Sequence, residues 1–122
     1  MNISLNRIIL FVNDVSALKQ FYQTVFGFAV TEEIENEWVV FTTGTAELAL
    51  HKIGQPFAHT NTPKRQTNVK FVFEAPGDMH GIREELISKN VPMGDVKYFD
   101  KRYLLCDGED SEGNVFQLKV KR

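Results

Sequence analysis

The sequence predicts an α+β domain built from two similar halves, each with the order β-α-β-β-β. Short apolar or alternating segments typical of strands occur in both halves, and each half also contains one segment with the three- and four-residue apolar spacing of a helix. The pattern of the first half restarts after a polar segment that contains Pro56 and Pro63. This repetition indicates a duplicated module of about 60 residues rather than a short solenoid repeat.

The first half begins with an apolar strand over residues 8–12. Asp14 can then cap a helix, because its carboxylate can accept hydrogen bonds from the unpaired N–H groups of the first turn. One apolar helical face follows, formed by Val15, Leu18, Phe21, Tyr22, Val25 and Phe26. Gly27 can end this helix in the left-handed conformation. Three strands are predicted to follow, over about 28–35, 38–41 and 47–51.

The second half repeats this order. A strand over 69–73 precedes a helix start at Pro76-Gly77-Asp78, and Asn90 can end that helix. Three strands are predicted over about 93–99, 103–109 and 115–120. The sequence therefore predicts a single domain, residues 1–122, with module 1 over about 1–53, a connecting loop over about 54–66 and module 2 over about 67–122.

Composition and charge exclude several classes of protein. A chain of 122 residues has the size of one domain and can form a stable hydrophobic core without disulfide bonds or structural metal ions. The net charge of −2 and the absence of a long basic run disfavour nucleic-acid binding. Cys106 is the one cysteine, so no intrachain disulfide or CxxC metal site can form. With neither a signal-peptide pattern nor an apolar run of about 18 residues, we expect a cytoplasmic protein with no membrane partner.

Two segments resemble a known family. Residues 14–28 read DVSALKQFYQTVFGF, and residues 110–118 read DSEGNVFQL. Together they resemble the vicinal oxygen chelate superfamily, also called the glyoxalase, bleomycin-resistance and extradiol-dioxygenase fold. The resemblance implies that the sheet of each module curls and that paired modules form a U-shaped cavity with the helices outside. It also implies a small-molecule ligand and, in the family's enzymes, one divalent metal held by His and Glu.

The positions that hold this metal in the family carry unsuitable residues. By the resemblance they fall on Arg7, Ala49, Asn68 and Gln117. Arginine has no lone pair to offer, and a single neutral glutamine does not make a site for zinc, iron or manganese. The sequence therefore predicts a metal-free branch of the family, without a cofactor.

Strand alternation predicts which side chains share the face of these four positions. The predicted ligand-binding residues are Arg7, Ile9, Phe11, Glu47, Asn68, Lys70, Gln117 and Lys119. Two interpretations remain open, either a polar pocket floor that contacts a ligand, or a structural salt-bridge network that joins Arg7 or Lys70 to Glu47. The excess of cations favours an anionic or carbonyl-bearing ligand. Trp38 is predicted either to stack on an aromatic ligand or to lie within the sheet.

Three functions stay open at this point. The first is a small-molecule binding protein, of the resistance or sequestration type, that forms a homodimer. The second is a glyoxalase-like lyase, isomerase or dioxygenase-type enzyme that is metal-free or has a displaced metal site; its donors would be Glu47, His51, Asp107 and Glu109, and no catalytic residue is assigned. The third is a module with a collapsed cavity that acts through protein contacts.

Overall fold

A computed structural model describes residues 1–2, 4–54, 69–98 and 101–122. The chain divides into two compact units, Met1–Thr62 and Pro63–Arg122. Each unit is a four-stranded mixed sheet with one helix, which confirms the predicted α+β class and the doubled β-α-β-β-β order. The division falls within the predicted connecting loop, most of which lies outside the described residues. Among the described residues, no helix combines the length and hydropathy needed to span a bilayer.

The first unit contains five elements. They are β1 (Arg7–Val12), α1 (Val15–Phe26), β2 (Ala29–Ile34), β3 (Trp38–Thr42) and β4 (Glu47–Lys52). The strand order in the sheet is β1-β4-β3-β2, with β1 parallel to β4 and the other neighbours antiparallel. After α1 the chain first forms β2 and β3 at the far edge of the sheet. It then returns as β4, which pairs with β1.

The second unit repeats this topology. Its elements are β5 (Phe71–Glu74), α2 (Met79–Ser88), β6 (Lys97–Tyr98), β7 (Tyr103–Glu109) and β8 (Val115–Lys121), in the sheet order β5-β8-β7-β6. The strand predicted over 93–99 is shorter than expected. Met93 forms only a single bridge with Gly108 before the regular pairing resumes at Lys97. Gly94 follows the bridge, and a glycine weakens a strand interior because it has no side chain to pack.

The helices begin and end where the sequence predicts. Asp14 accepts a hydrogen bond from the N–H of Ala17 at 3.0 Å, and Asp78 accepts one from the N–H of Gly81 at 3.0 Å. Gly27 has φ of 69°, and Asn90 has φ of 63°. Both therefore adopt the left-handed conformation in which a helix commonly ends.

The core of each unit lies between the helix and one face of the sheet. In the first unit the ring of Tyr22 is fully buried and lies 5.9 Å from the ring of Phe41 on β3. In the second unit Phe116, Leu118 and Cys106 are buried on the helix side of the sheet. The buried position of Cys106 agrees with the strand prediction.

A buried carboxylate holds the turn between β7 and β8. Asp110 is 4% exposed, and its Oδ1 accepts hydrogen bonds from the N–H groups of Glu112 and Asn114, both at 2.9 Å. The side-chain amide of Asn114 donates to the same carboxylate, at 2.8 Å to Oδ2. Gly113 completes the turn with φ of 78°. These contacts explain the DSEGN segment as a structural turn rather than a catalytic motif.

We expect Asp110→Ala to lower the free energy of unfolding by about 2–4 kcal/mol, because it leaves several part-buried N–H groups without their acceptor. Urea denaturation of the full chain measures this loss. Glu84→Ala is the control, since it removes a largely exposed carboxylate from α2 of the same unit and should change the free energy by less than about 0.5 kcal/mol. Equal effects of the two substitutions would contradict the role given to Asp110.

Candidate functional site

Each sheet has one face covered by its helix and one face that the helix leaves uncovered. On β3, Phe41 contacts the helix residue Tyr22, so Val40 and Trp38 point the other way. The ladder places Ala49 beside Val40 and Ile9, and places His51 beside Trp38 and Phe11. We call this surface the first open face; it includes Arg7, Ile9, Phe11, Trp38, Val40, Glu47, Ala49 and His51.

An ion pair and an indole ring form the polar part of the first open face. The Nε of Arg7 donates to Oε1 of Glu47 at 3.1 Å, and Nη2 lies 3.0 Å from the same oxygen. The guanidinium carbon of Arg7 lies 5.5 Å from the centroid of the Trp38 ring, within the range of a cation–π contact. The indole N–H of Trp38 donates to Glu32 at 2.6 Å. The Arg7–Glu47 pair predicted as part of a structural network is therefore present.

The apolar part of this face is only partly open to solvent, since Val40 and Ala49 are buried whereas Ile9 and Phe11 are exposed. Ile9 is 43% exposed and Phe11 is 53% exposed. The ring of His51 lies 5.3 Å from that of Phe11 and 5.7 Å from that of Trp38, so three rings follow one another across the sheet. Trp38 is half-buried on this surface, which places its ring on the open side rather than beneath the helix.

A second polar network lies on the uncovered face of the second sheet. Phe116, Leu118 and Val120 are buried on the helix side, so Gln117 and Lys119 point the other way. The ladder places Asp107 and Val72 beside Gln117, and places Leu105 beside Lys119. We call this surface the second open face; it includes Lys70, Val72, Tyr103, Leu105, Asp107, Glu109, Val115, Gln117 and Lys119.

Asp107 is the centre of the second network. Its Oδ2 accepts a hydrogen bond from Lys70 Nζ at 2.9 Å, and its Oδ1 accepts one from Gln117 Nε2 at 2.9 Å. Burial by itself raises the pKa of Asp107, but the hydrogen bonds from Lys70 and Gln117 and the charges of Lys70 and Lys97 outweigh burial. The net result is a pKa below the usual value for aspartic acid, so Asp107 is ionised near neutral pH.

Lys119 lies apart from this network. Its ammonium group is 4.1 Å from the centroid of the Tyr103 ring, the geometry of a cation–π contact. The lysine is thus held by an aromatic face instead of by a carboxylate.

A cavity of about 360 Å³ opens beside Asp107, within the second unit. Residues 92–94 line one side, and residues 107–109 and Val115 line the other. Gly108 makes this arrangement feasible, since a Cβ there would come within 2.5 Å of the Phe116 ring and 2.6 Å of the Met93 sulfur. The volume lies within the range of about 300–1,000 Å³ that is usual for small-molecule sites.

The predicted ligand-binding residues fall into two groups, one in each unit. Arg7, Ile9, Phe11 and Glu47 share the first open face; Lys70, Gln117 and Lys119 share the second. Asn68 lies outside the described residues. Lys70 pairs with Asp107 in its own unit, not with Glu47, because alternation places both residues on the second open face. Direct ligand contact by these residues stays a prediction.

Residues 4–118 match the model of the Glyoxalase/Bleomycin resistance protein/Dioxygenase superfamily. The chain belongs to this superfamily. No curated protein matches it in sequence.

Solved structures of the superfamily share the fold at low sequence identity. A lactoylglutathione lyase from Agrobacterium tumefaciens is 17% identical, with a TM-score of 0.71 over 96% of this chain and 92% of that one. A genomically encoded fosfomycin resistance protein from Listeria monocytogenes is 12% identical, with a TM-score of 0.72 over 98% and 93%. An integron cassette protein from V. cholerae is 18% identical, with a TM-score of 0.74 over 98% and 97%. At these identities the likeness concerns the fold alone.

The strand registers relate open-face residues of the two modules to one another. Ala49 lies beside Ile9, and its counterpart Gln117 lies beside Val72. Arg7 precedes Ile9 by two residues, as Lys70 precedes Val72. With Ala49 and Gln117 taken as counterparts, Lys70 has the place in the second sheet that Arg7 has in the first; Asn68 lies outside the described residues.

The residues at the four positions do not fit a divalent metal. Arg7 is a cation, the Ala49 side chain has no donor atom, and the amides of Asn68 and Gln117 are neutral. Asp107 is the nearest carboxylate to Lys70 and Gln117 described here, and it is bonded to both of them. In the described part of the chain, no group of three or more His, Cys, Asp and Glu side chains could hold a metal ion.

We expect Asp107→Asn to weaken the dependence of stability on acidic pH. Because the folded-state pKa of Asp107 is lowered, its contribution is present above the unfolded-state pKa and is lost as the pH falls through the folded-state pKa. Between about pH 5 and about pH 2.5, the free energy of unfolding should fall less steeply in the variant than in the wild type. Urea denaturation across this range measures both slopes. Asp95→Asn controls for the loss of one negative charge, and parallel slopes for wild type and Asp107→Asn would refute the expectation.

Proposed function

We propose that this protein binds a small organic molecule without a metal ion, and that it acts as a resistance or sequestration protein. The cavity of about 360 Å³ in the second unit carries this proposal. It has a volume suited to a small ligand, and it adjoins a network whose polar groups are already oriented by one another. Membership of the superfamily supports small-molecule binding as the general role.

The residues at the superfamily's metal positions favour binding over catalysis. Arg7, Ala49 and Gln117, at three of these positions, do not supply the imidazole or carboxylate ligands that hold the Lewis acid used by the superfamily's enzymes. Asp107 is also poorly suited to be a general base. Its pKa is lowered, whereas an efficient base has a pKa near the working pH.

An enzyme remains the second candidate, for one specific reason. Asp107 and Glu109 both line the cavity and lie two residues apart on β7, so one could accept a proton while the other donates one. A lyase or isomerase reaction would fit such a pair. Turnover that is lost in Glu109→Gln while binding persists would favour this candidate over sequestration.

A module that acts only through protein contacts is less well supported. Its cavity would be closed by salt bridges. The Arg7–Glu47 and Lys70–Asp107 pairs are such bridges, but the cavity beside Asp107 has room for a ligand. We propose in addition a cytoplasmic homodimer, whose stoichiometry sedimentation of the full chain would measure.

The preference for an anionic ligand loses its basis once the contacts are considered. Arg7 is paired with Glu47, Lys70 is paired with Asp107, and Lys119 rests on Tyr103. The exposed ring of Phe11 and the ring of Trp38 would suit an aromatic ligand on the first open face, which is a different surface from the cavity of the second unit.

We expect the wild-type protein, purified without a metal-binding tag, to contain less than about a tenth of an equivalent of metal. Soaking in zinc, manganese, nickel or iron(II) should leave Tm unchanged. The double variant Lys70→His/Gln117→Glu is the positive control, since both side chains contact Asp107 and the variant would place one imidazole and two carboxylates together. Zinc should raise its Tm. One tightly held equivalent in the wild type would overturn the metal-free proposal and make enzyme chemistry the leading candidate.

We expect Val115→Phe to abolish binding of any ligand found by thermal-shift screening, because the larger side chain would occupy the cavity. Val72→Phe is the matched control: it makes the same change on the same open face but outside the cavity lining, so it should leave binding intact. Calorimetric titration of the three proteins measures the result. Equal binding to Val115→Phe and the wild type would place the ligand elsewhere.

A further inference from the structure

We infer that two sheet edges of opposite charge join two copies of this chain. The acidic edge is formed by residues 32–37 of the first unit, and the basic edge by residues 97–102 and 121–122 of the second unit. The inference rests on the proposed homodimer and adds the surfaces that form it. Neither membership of the superfamily nor the likeness to its solved structures assigns these surfaces.

The acidic edge lies where β2, an outer strand of the first sheet, turns into β3. Residues 32–37 read EEIENE and contain four carboxylates. Lys19 pairs with Glu33 at 2.8 Å, and the backbone N–H of Lys52 donates to the carbonyl of Glu37 at 2.9 Å. Even with these two cations counted against the four carboxylates, the acidic edge keeps a net negative charge.

The basic edge lies beside β6, an outer strand of the second sheet. The backbone N–H of Arg122 donates to the carbonyl of Arg102 at 2.7 Å, and the Arg122 guanidinium carbon lies 4.9 Å from the centroid of the Tyr98 ring. Segments 97–102 and 121–122 are thereby brought together. They contain five cations and one carboxylate by sequence, and the carboxylate lies outside the described residues. The basic edge therefore carries a net positive charge.

Each edge also presents one large apolar side chain to solvent. Ile34, between two glutamates of the acidic edge, is 61% exposed, and Tyr98 of the basic edge is 66% exposed. A contact that covers Ile34 with Tyr98 removes apolar surface from water, and the charges around them then attract one another. The two edges are thus complementary both in charge and in their apolar centres.

The charges best placed for this contact are not already paired within the chain. In the part of the chain that the structure describes, no cation forms an ion pair with Glu35 and no carboxylate forms one with Lys121. Both side chains are exposed. An oppositely charged surface of another molecule can therefore engage them without breaking an ion pair.

The charges also decide which edges meet. Two acidic edges or two basic edges would repel each other, and charged outer strands commonly prevent identical edges from pairing. The opposite edge of a second copy avoids this repulsion. Because each copy carries both edges, a closed dimer makes the same contact twice.

Charge reversal tests the inference by sedimentation equilibrium of the full chain. Glu35→Lys/Glu37→Lys reverses the acidic edge, and Lys97→Glu/Lys121→Glu reverses the basic edge. We expect each double variant to raise the Kd of the dimer about tenfold or more, because like charges then face each other. An equimolar mixture of the two variants should associate as the wild type does, since each edge meets the opposite charge on the other variant.

Two further variants complete the design. Glu84→Lys/Glu85→Lys makes the same change of net charge on α2 and should leave the Kd of the dimer unchanged. Ile34→Ser should raise that Kd, because it removes the apolar centre of the acidic edge without changing its charge.

The results that overturn the inference are distinct from those that bear on ligand binding. A wild type that stays monomeric up to about 100 μM overturns both the homodimer and this inference, because a specific contact should be stronger than that. A dimer that neither double variant weakens overturns the inference alone. Weakening that mixing does not reverse also overturns it, because the defect then lies within one chain. The Val115→Phe comparison tests ligand binding separately.

Discussion

The parallel pairing of the first strand of each unit with its last strand determines most of the arrangement described above. The β1–β4 register places Arg7 beside Glu47, and the β5–β8 register places Val72 beside Gln117. Because side chains alternate between the two faces of a strand, this register decides which residues meet the helix and which remain uncovered. A shift of one residue would expose Leu48 and Leu50, which are now buried, and would turn Glu47 into the core. The apolar core and the polar open face are thus consequences of the same constraint.

Much of this could be predicted from the sequence because it depends on local patterns. The caps at Asp14 and Asp78 and the left-handed residues Gly27 and Asn90 require only neighbours along the chain.

Partners across strands are harder to predict. Gln117 was recognised as an open-face residue, but its bond to Asp107 depends on the β7–β8 register. The tight turn held by Asp110 could have supplied that register, since it fixes Glu109 opposite Val115 and hence Asp107 opposite Gln117. The cavity could not be predicted, because it depends on how closely Met93 approaches Gly108.

Counting charges along the sequence gave a misleading view of the ligand. Arg7, Lys70 and Lys119 suggest a basic surface when only Glu47 is counted against them. In the structure a carboxylate or an aromatic ring engages each of these cations, and Asp107 and Glu109 join the same surfaces. Exposed ion pairs of this type contribute little to stability, about 0–1 kcal/mol, so their main effect is on the charge and hydrogen-bonding groups available to a ligand. Whether a surface prefers an anionic or a cationic ligand therefore depends on which of its side chains are paired, and not on composition alone.

The two modules share a topology but have diverged at corresponding positions. Ala49 and its neighbour Val40 are fully buried in the first sheet, while the corresponding pair in the second sheet is Gln117 and Asp107. The same strand pairing thus supports an apolar centre in one unit and a hydrogen-bonded polar centre in the other. In the first unit the charged and aromatic groups lie at the edge of the open face, where Arg7 lies over Trp38. Within the described residues, the carboxylates Asp107 and Glu109 line a cavity of the second unit, so the proposed ligand selection falls on that unit.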